Sequence, residues 1–147
     1  MAIFYESISV SVPKMKRRET SRWIKQIINL YGKKPGNVSY IFCSDEEILQ
    51  INRQYLHHDY YTDIITFDYT EEDAVSGDLF ISLDTVKSNA EKFGTDYSDE
   101  LARVMIHGVL HLCGLNDKTP EDEKTMRLKE DEALLLLKSV KGSENEI

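Results

Sequence analysis

His107 and His111, followed by Gly114 and Asp117, have the residue types and spacing to hold a metal ion. On a helix, residues four apart lie about one turn apart on the same face, so the two imidazoles can converge on one point. Gly114 stands where such a helix would end, because glycine takes the left-handed conformation that reverses the backbone. Three residues later Asp117 can swing back with a carboxylate oxygen. Two nitrogens and one oxygen suit zinc, and three protein ligands leave a fourth position for water or substrate, as in catalytic sites. His107, His111 and Asp117 are therefore the candidate ligands of one Zn2+ per chain, with His107 also the candidate catalytic residue. The plainer alternative is a pair of core histidines on an amphipathic helix. Gly114 and Asp117, at the offsets a third ligand needs, favour the metal.

The frame of His, His at plus four, Gly at plus seven and ligand at plus ten is that of certain metalloproteases. In those enzymes the residue after the first histidine is the glutamate that acts as general base. Here that position is Gly108, so the frame is present and the base is absent. Cys113, two residues beyond His111, points off the ligand face and reads as core. His57 and His58 are adjacent, so they face different ways and make a poor metal pair; they fit a polar loop lining a cleft, with an imidazole near substrate as the sharper reading.

The elements that must position this cluster are legible in outline. Val104 to Cys113 is apolar nearly all round, which predicts a buried central helix with the metal site at its end. Histidines in such a helix need partners. Upstream, residues 3–12 alternate as a first strand ending at Pro13, and Trp23, Ile24, Ile27, Ile28 and Tyr31 follow helical spacing from about Glu19. Val38, Tyr40 and Phe42 form a second strand; Ser44 and Glu47 make a capping box for the next helix. Residues 64–67 and 77–82 read as a β-hairpin. Ser82 or Asp84 caps a helix closed by Gly94, and Ser98 caps the helix leading into His107. Thr119 and Pro120 open the last helix, whose core stripe is Met126, Ala133, Leu134 and Leu137. The predicted fold is one α+β domain over residues 1–147, with about four strands in one mixed sheet and about five helices. Residues 141–147 are expected to form a polar, disordered tail.

Composition narrows the class of function. A 41% hydrophobic and 30% charged chain is ordinary for a globular domain, and 147 residues can bury about 70% of the unfolded surface. No apolar run approaches the roughly 20 residues needed to cross a membrane, and the N-terminus has no secretory pattern. Cys43 and Cys113 form no C-x-x-C pair, which points to a reduced, cytoplasmic protein. The net charge of −8 argues against indiscriminate nucleic-acid binding. Its distribution is uneven: residues 1–40 carry eight Lys/Arg against Glu6 and Glu19, a net of +6, which leaves −14 on the remainder. Most of the positive charge falls at Lys14, Lys16, Arg17, Arg18, Arg22 and Lys25. Such a run is either a solvated helix face or a phosphate-binding patch.

Three segments, in order across nearly the whole chain, resemble the YbeY family of bacterial rRNA maturation endoribonucleases. They are Asn52-x-x-Tyr55 with Asp59 and Thr62-Asp63-Ile-Ile-Thr-Phe67; Gly77-Asp78-Leu-Phe-Ile-Ser82; and His107-Gly-Val-Leu-His111-Leu-Cys-Gly114. The family has glycine after its first histidine, as here. Three positions depart from its pattern, one of them Asn116, where the family has aspartate. The third histidine is replaced by Asp117, which can still ligate through oxygen. Leu56 stands where the family usually has an arginine thought to engage RNA, and leucine cannot bind phosphate bidentately.

The resemblance implies a metal-dependent, single-strand-specific endoribonuclease acting on precursor small-subunit ribosomal RNA. It also implies contact with ribosomal proteins or assembly factors of that subunit, and no membrane partner. Phosphates need positive charge near the cleft, and the sequence offers Arg17, Arg18 and Arg22, expected to flank it, with His57 and His58 as further substrate contacts. No general base is visible. Two rivals are a non-catalytic ribosome assembly factor with a structural metal, favoured by Leu56, and a metalloprotease-like hydrolase, opposed by Gly108.

Overall fold

The computed structural model describes residues 2–57 and 62–145, with side chains through residue 139. Its elements run β1 (Ile3–Ser7), α1 (Arg17–Leu30), β2 (Lys34–Cys43), α2 (Asp45–Leu56), β3 (Ile64–Asp68), β4 (Ala74–Ser82), α3 (Leu83–Phe93), α4 (Tyr97–Leu112) and α5 (Pro120–Asn145). The four strands form one sheet in the order β1-β2-β4-β3. β1 and β4 both run parallel to β2, and β3 closes the hairpin antiparallel to β4. The expected fold class is therefore the observed one: α+β, with a mixed sheet and five helices.

Alternation along the strands assigns the two faces. Val38, Tyr40 and Phe42 of β2 and Val75, Leu79 and Ile81 of β4 point into the main core with α1, α4 and α5. Cys43, Ile48 and Ile65 form a smaller core under α2 on the opposite face. Burying each large aliphatic or aromatic side chain stabilises the fold by about 1.5–3 kcal/mol. The main core therefore dominates, and α4 lies in its middle. Two hydrogen bonds tie that core across long sequence separations: the Tyr40 hydroxyl donates to the Met105 carbonyl at 3.0 Å, and the Trp23 indole N–H to the Ala133 carbonyl at 2.7 Å.

Most boundaries follow local chemistry. The Ser44–Glu47 capping box is formed in both directions, and Ser82 is the N-cap of α3, accepting from the Thr85 N–H. Asp84 instead accepts from the Asp45 backbone N–H, joining the starts of α2 and α3. Thr119 accepts from the Asp122 N–H at the start of α5. Three boundaries differ from the sequence expectation. β1 stops at Ser7 because Ser9 takes a left-handed φ of 59°, which breaks the strand. The N-cap of α4 is Asp96, not Ser98. Helix α5 continues through Asn145, beyond Lys141 where composition suggests a tail.

Candidate metal centre

The site is built by pressing α4 close to the hairpin. A Cβ placed on Gly108 would come within 2.8 Å of Ile64 Cδ1 and 3.0 Å of Leu79 Cδ2; one on Gly77 would come within 2.5 Å of the Phe67 carbonyl and 3.0 Å of Leu112. Only glycines allow this approach. Gly108 thus serves the packing of helix on sheet, and without a side chain it supplies no general base. Val104, Met105, Ile106, Val109, Leu110 and Leu112 are buried, while the side chains of His107 and His111 keep 22% and 27% exposure. The helix therefore presents its two imidazoles on its one polar edge.

Helix α4 ends in a Schellman turn. Gly114, at φ 105°, donates to the His111 carbonyl at 3.0 Å, and Leu115 donates to the Leu110 carbonyl at 3.0 Å. This reversal carries Asp117 back to the histidines. His107 Nε2 lies 3.1 Å from His111 Nε2, and Asp117 Oδ2 lies 3.4 and 3.3 Å from the two nitrogens. A tetrahedral ion with bonds of about 2.0–2.1 Å requires donors about 3.3–3.4 Å apart. The three atoms fit that footprint, and the donor set of two imidazoles and a carboxylate suits zinc. Among the described residues no fourth His, Cys, Asp or Glu completes the group.

Behind the ligands stands a carboxylate network. His107 Nδ1 lies 2.7 Å from Glu130 Oε2. Glu130, 5% exposed, also accepts from Arg103 Nη1 at 2.9 Å, while Arg103 Nη2 donates to Asp131 at 2.6 Å. A proton on Nδ1, held by Glu130, leaves the Nε2 lone pair facing Asp117 and His111, the arrangement metal-bound histidines commonly use. Burial alone would lower the His107 pKa. The Glu130 hydrogen bond and charge, with Asp63 and Asp117 nearby, outweigh it and raise the pKa above its ordinary value. Sequence reasoning misses Glu130, yet the residue leaves a trace there. It falls at the 126, 130, 133, 137 spacing of the α5 core stripe, a charge where an apolar residue belongs.

The triad opens onto a cleft of about 400 Å3, whose other wall is the start and inner face of β3: Thr62, Asp63, Ile64, Thr66 and Asp68. Strand alternation sends Ile64, Thr66 and Asp68 to this side. Burial raises the Asp63 carboxyl above the usual range, partly offset by the neighbouring His107 and by hydrogen bonds from the Asp63 and Ile64 backbone and from Thr62. In the sequence Asp63 stands out only as one member of a motif. Cys113, as expected, is turned into the core, and burial pushes its thiol up to about 11.

The other expected substrate contacts that fall among the described residues lie elsewhere. His57 is the exposed C-cap of α2, in the left-handed region at φ 57°, and is not among the residues lining the cleft. His58 lies outside the described residues. Leu56 is partly exposed at the end of α2. The expectation that Arg17, Arg18 and Arg22 flank the metal cleft is corrected. They sit on α1 in grooves beside β1, whereas the cleft is at β3, the opposite edge of the sheet. The parallel β1–β2 pairing places β1 and its neighbouring helix there, a non-local outcome that charge spacing does not contain.

Comparison with known proteins places the chain in a family. Residues 7–138 match the family described as endoribonuclease YbeY. A Parabacteroides distasonis protein named endoribonuclease YbeY is 60% identical over 93% of this chain and 96% of its own length. The protein of that name from Bacteroides thetaiotaomicron is 59% identical, over 92% and 99% respectively. The solution structure of TM1509 from Thermotoga maritima superposes with a TM-score of 0.65 at 25% identity, covering 99% of this chain and 93% of that one. With its three-donor cleft at the end of a buried helix, the chain belongs to the endoribonuclease YbeY family.

Proposed function

We propose that this protein is a metal-dependent endoribonuclease that hydrolyses single-stranded RNA at the His107–His111–Asp117 cleft. Its substrate on this reading is precursor small-subunit ribosomal RNA, met in the cytoplasm together with ribosomal proteins or assembly factors of that subunit. Family membership supports the RNA-cleaving class, and the three sequence motifs support the ribosomal assignment. The observation that carries the chemistry is the convergence of three donor atoms at zinc spacing on an open cleft.

When bound, zinc supplies a Lewis acid that polarises a phosphoryl oxygen and lowers the pKa of a coordinated water. The chain's own groups do the remaining work. His107 and His111 would hold the ion through Nε2 and Asp117 through Oδ2. Glu130 keeps the His107 ring in orientation and its Nδ1 proton in place, and Arg103 holds Glu130. Asp63, with its carboxyl raised by burial, offers a proton acceptor in the cleft wall for water or for the ribose 2′-hydroxyl. Among the described residues no protein group takes a fourth position, which favours this reading over a structural metal, and Gly108 removes the base a metalloprotease needs.

The test joins metal analysis of protein purified without an affinity tag to an RNA cleavage assay with and without chelator. We expect about one zinc per chain and cleavage that chelation abolishes and zinc restores. Cleavage surviving complete metal removal would overturn the mechanism, and zinc binding without any RNA cleavage would turn the assignment to an assembly factor.

A further inference from the structure

The metal cleft is by itself poorly suited to gripping a polyanion. Its lining carries Asp63, Asp68 and Asp117 and, among the described residues, no lysine or arginine. A divalent ion offsets only two of those charges. Affinity for nucleic acid rests chiefly on neutralising phosphates, so an RNA cut here must be held somewhere else.

The dense positive charge lies at the far edge of the sheet. Two adjoining grooves of about 500 and 480 Å3 run along the outward face of α1 and the open edge of β1, sharing Arg18 and Ser21. Arg17 lines the first, Arg22 and Lys25 the second, and among the described residues Glu6 is the one acidic group in either lining. The Arg17 guanidinium stands 5.7 Å from the centre of the Tyr5 ring, and Phe4 beside it is 45% exposed. Lys16, Arg17 and Arg18 crowd the N-terminus of α1, where the helix dipole disfavours cations. Glu19 pairs with Lys16 at 3.7 Å, which offsets one of the three. This charge therefore costs the helix stability, a cost that an anionic ligand would offset.

We propose that the α1–β1 surface is an RNA-docking exosite, gripping the phosphate backbone of the same strand that the metal cleft cuts. The proposal rests on the RNA reading of the cleft. Arginines beside one exposed ring, Phe4, and the half-buried Tyr5 resemble surfaces that bind single strands by charge and stacking. That combination favours RNA over an acidic protein segment added to the β1 edge. β1 and β3 are separated by β2 and β4, so their axes lie about 14 Å apart at the usual strand spacing. At about 3.4 Å per stacked nucleotide, some four nucleotides span that gap. A shorter RNA reaches one site only, and a longer one reaches both.

The test is fluorescence-anisotropy titration of zinc-loaded protein with a labelled single-stranded RNA of about twenty nucleotides, longer than the usual single-strand site sizes, over a salt series. We expect the Arg17→Ala/Arg18→Ala protein to bind this RNA roughly tenfold or more weakly. Its log–log salt slope should be shallower by about 0.7 for each phosphate no longer neutralised. Zinc content and the unfolding midpoint should not change. Unchanged affinity and slope would overturn the exosite and leave an acidic protein segment as the occupant to pursue. Weakened RNA binding accompanied by lost zinc would also overturn it, by placing the arginines' effect at the metal site. A parent protein that binds long RNA through these arginines yet cleaves nothing would sink the nuclease reading and leave the exosite standing.

Discussion

The two edges of the sheet are opposite in charge and in construction. At the β3 edge, three ligand atoms lie within 3.1–3.4 Å of one another, and a buried helix, two close glycine approaches and a Glu130–Arg103 network fix them there. At the β1 edge, exposed arginines and a half-buried lysine line open grooves on a single helix face. Holding an ion requires donors placed to within tenths of an ångström, so that edge is supported from the core outward. Attracting phosphates requires only a high density of charge, since Coulomb attraction falls off gradually with distance. Mutations should therefore act steeply at one edge and gradually at the other.

The largest expected effect is at the ligands. His111→Ala should abolish zinc binding, while Asp117→His should keep it. Saturating zinc should raise the parent's stability, by about 2.7 kcal/mol at a hundredfold excess over Kd, and calorimetry should show no such shift for His111→Ala. A zinc-dependent shift persisting in that variant would place the ion elsewhere. Next comes the packing of helix on sheet. Gly108→Glu completes the protease pattern on paper but forces a charged side chain against Ile64 and Leu79. Overpacking with a buried charge should cost about 3 kcal/mol or more, read from denaturant midpoints. Wild-type stability in this variant would show that α4 does not need its close approach.

The supporting carboxylate should have a smaller effect on binding. Glu130→Ala should weaken zinc affinity about 10–100-fold, measured by competition with a chromophoric chelator, with Glu130→Gln weakening it less because its amide oxygen still accepts from Nδ1. Equal affinity in parent and alanine variant would reduce Glu130 to a packing residue. Smallest of all, Cys113→Ser should leave zinc content unchanged by elemental analysis, because Cys113 faces the core. A fall in zinc content there would contradict the orientation of α4.

The chain alone determined what depends on short range. His107, His111 and Asp117 are readable because helical periodicity and a glycine stop set their relation within eleven residues. The caps at Ser44 and Thr119 are readable for the same reason. The mixed sheet with its helices is legible in type, since alternation and helical spacing are local patterns. Tertiary structure alone decided which distant groups meet. Glu130 reaches His107 across 23 positions only because α5 packs on α4. Asp63 and Asp68 face the triad only because β3 takes the sheet edge beside α4. Arg17 and Arg18 are readable as a basic run, but nothing in that run says which edge of the sheet it will occupy. Their placement depends on β1 pairing with β2, and strand order is set by the packing of the whole core, which no local spacing encodes.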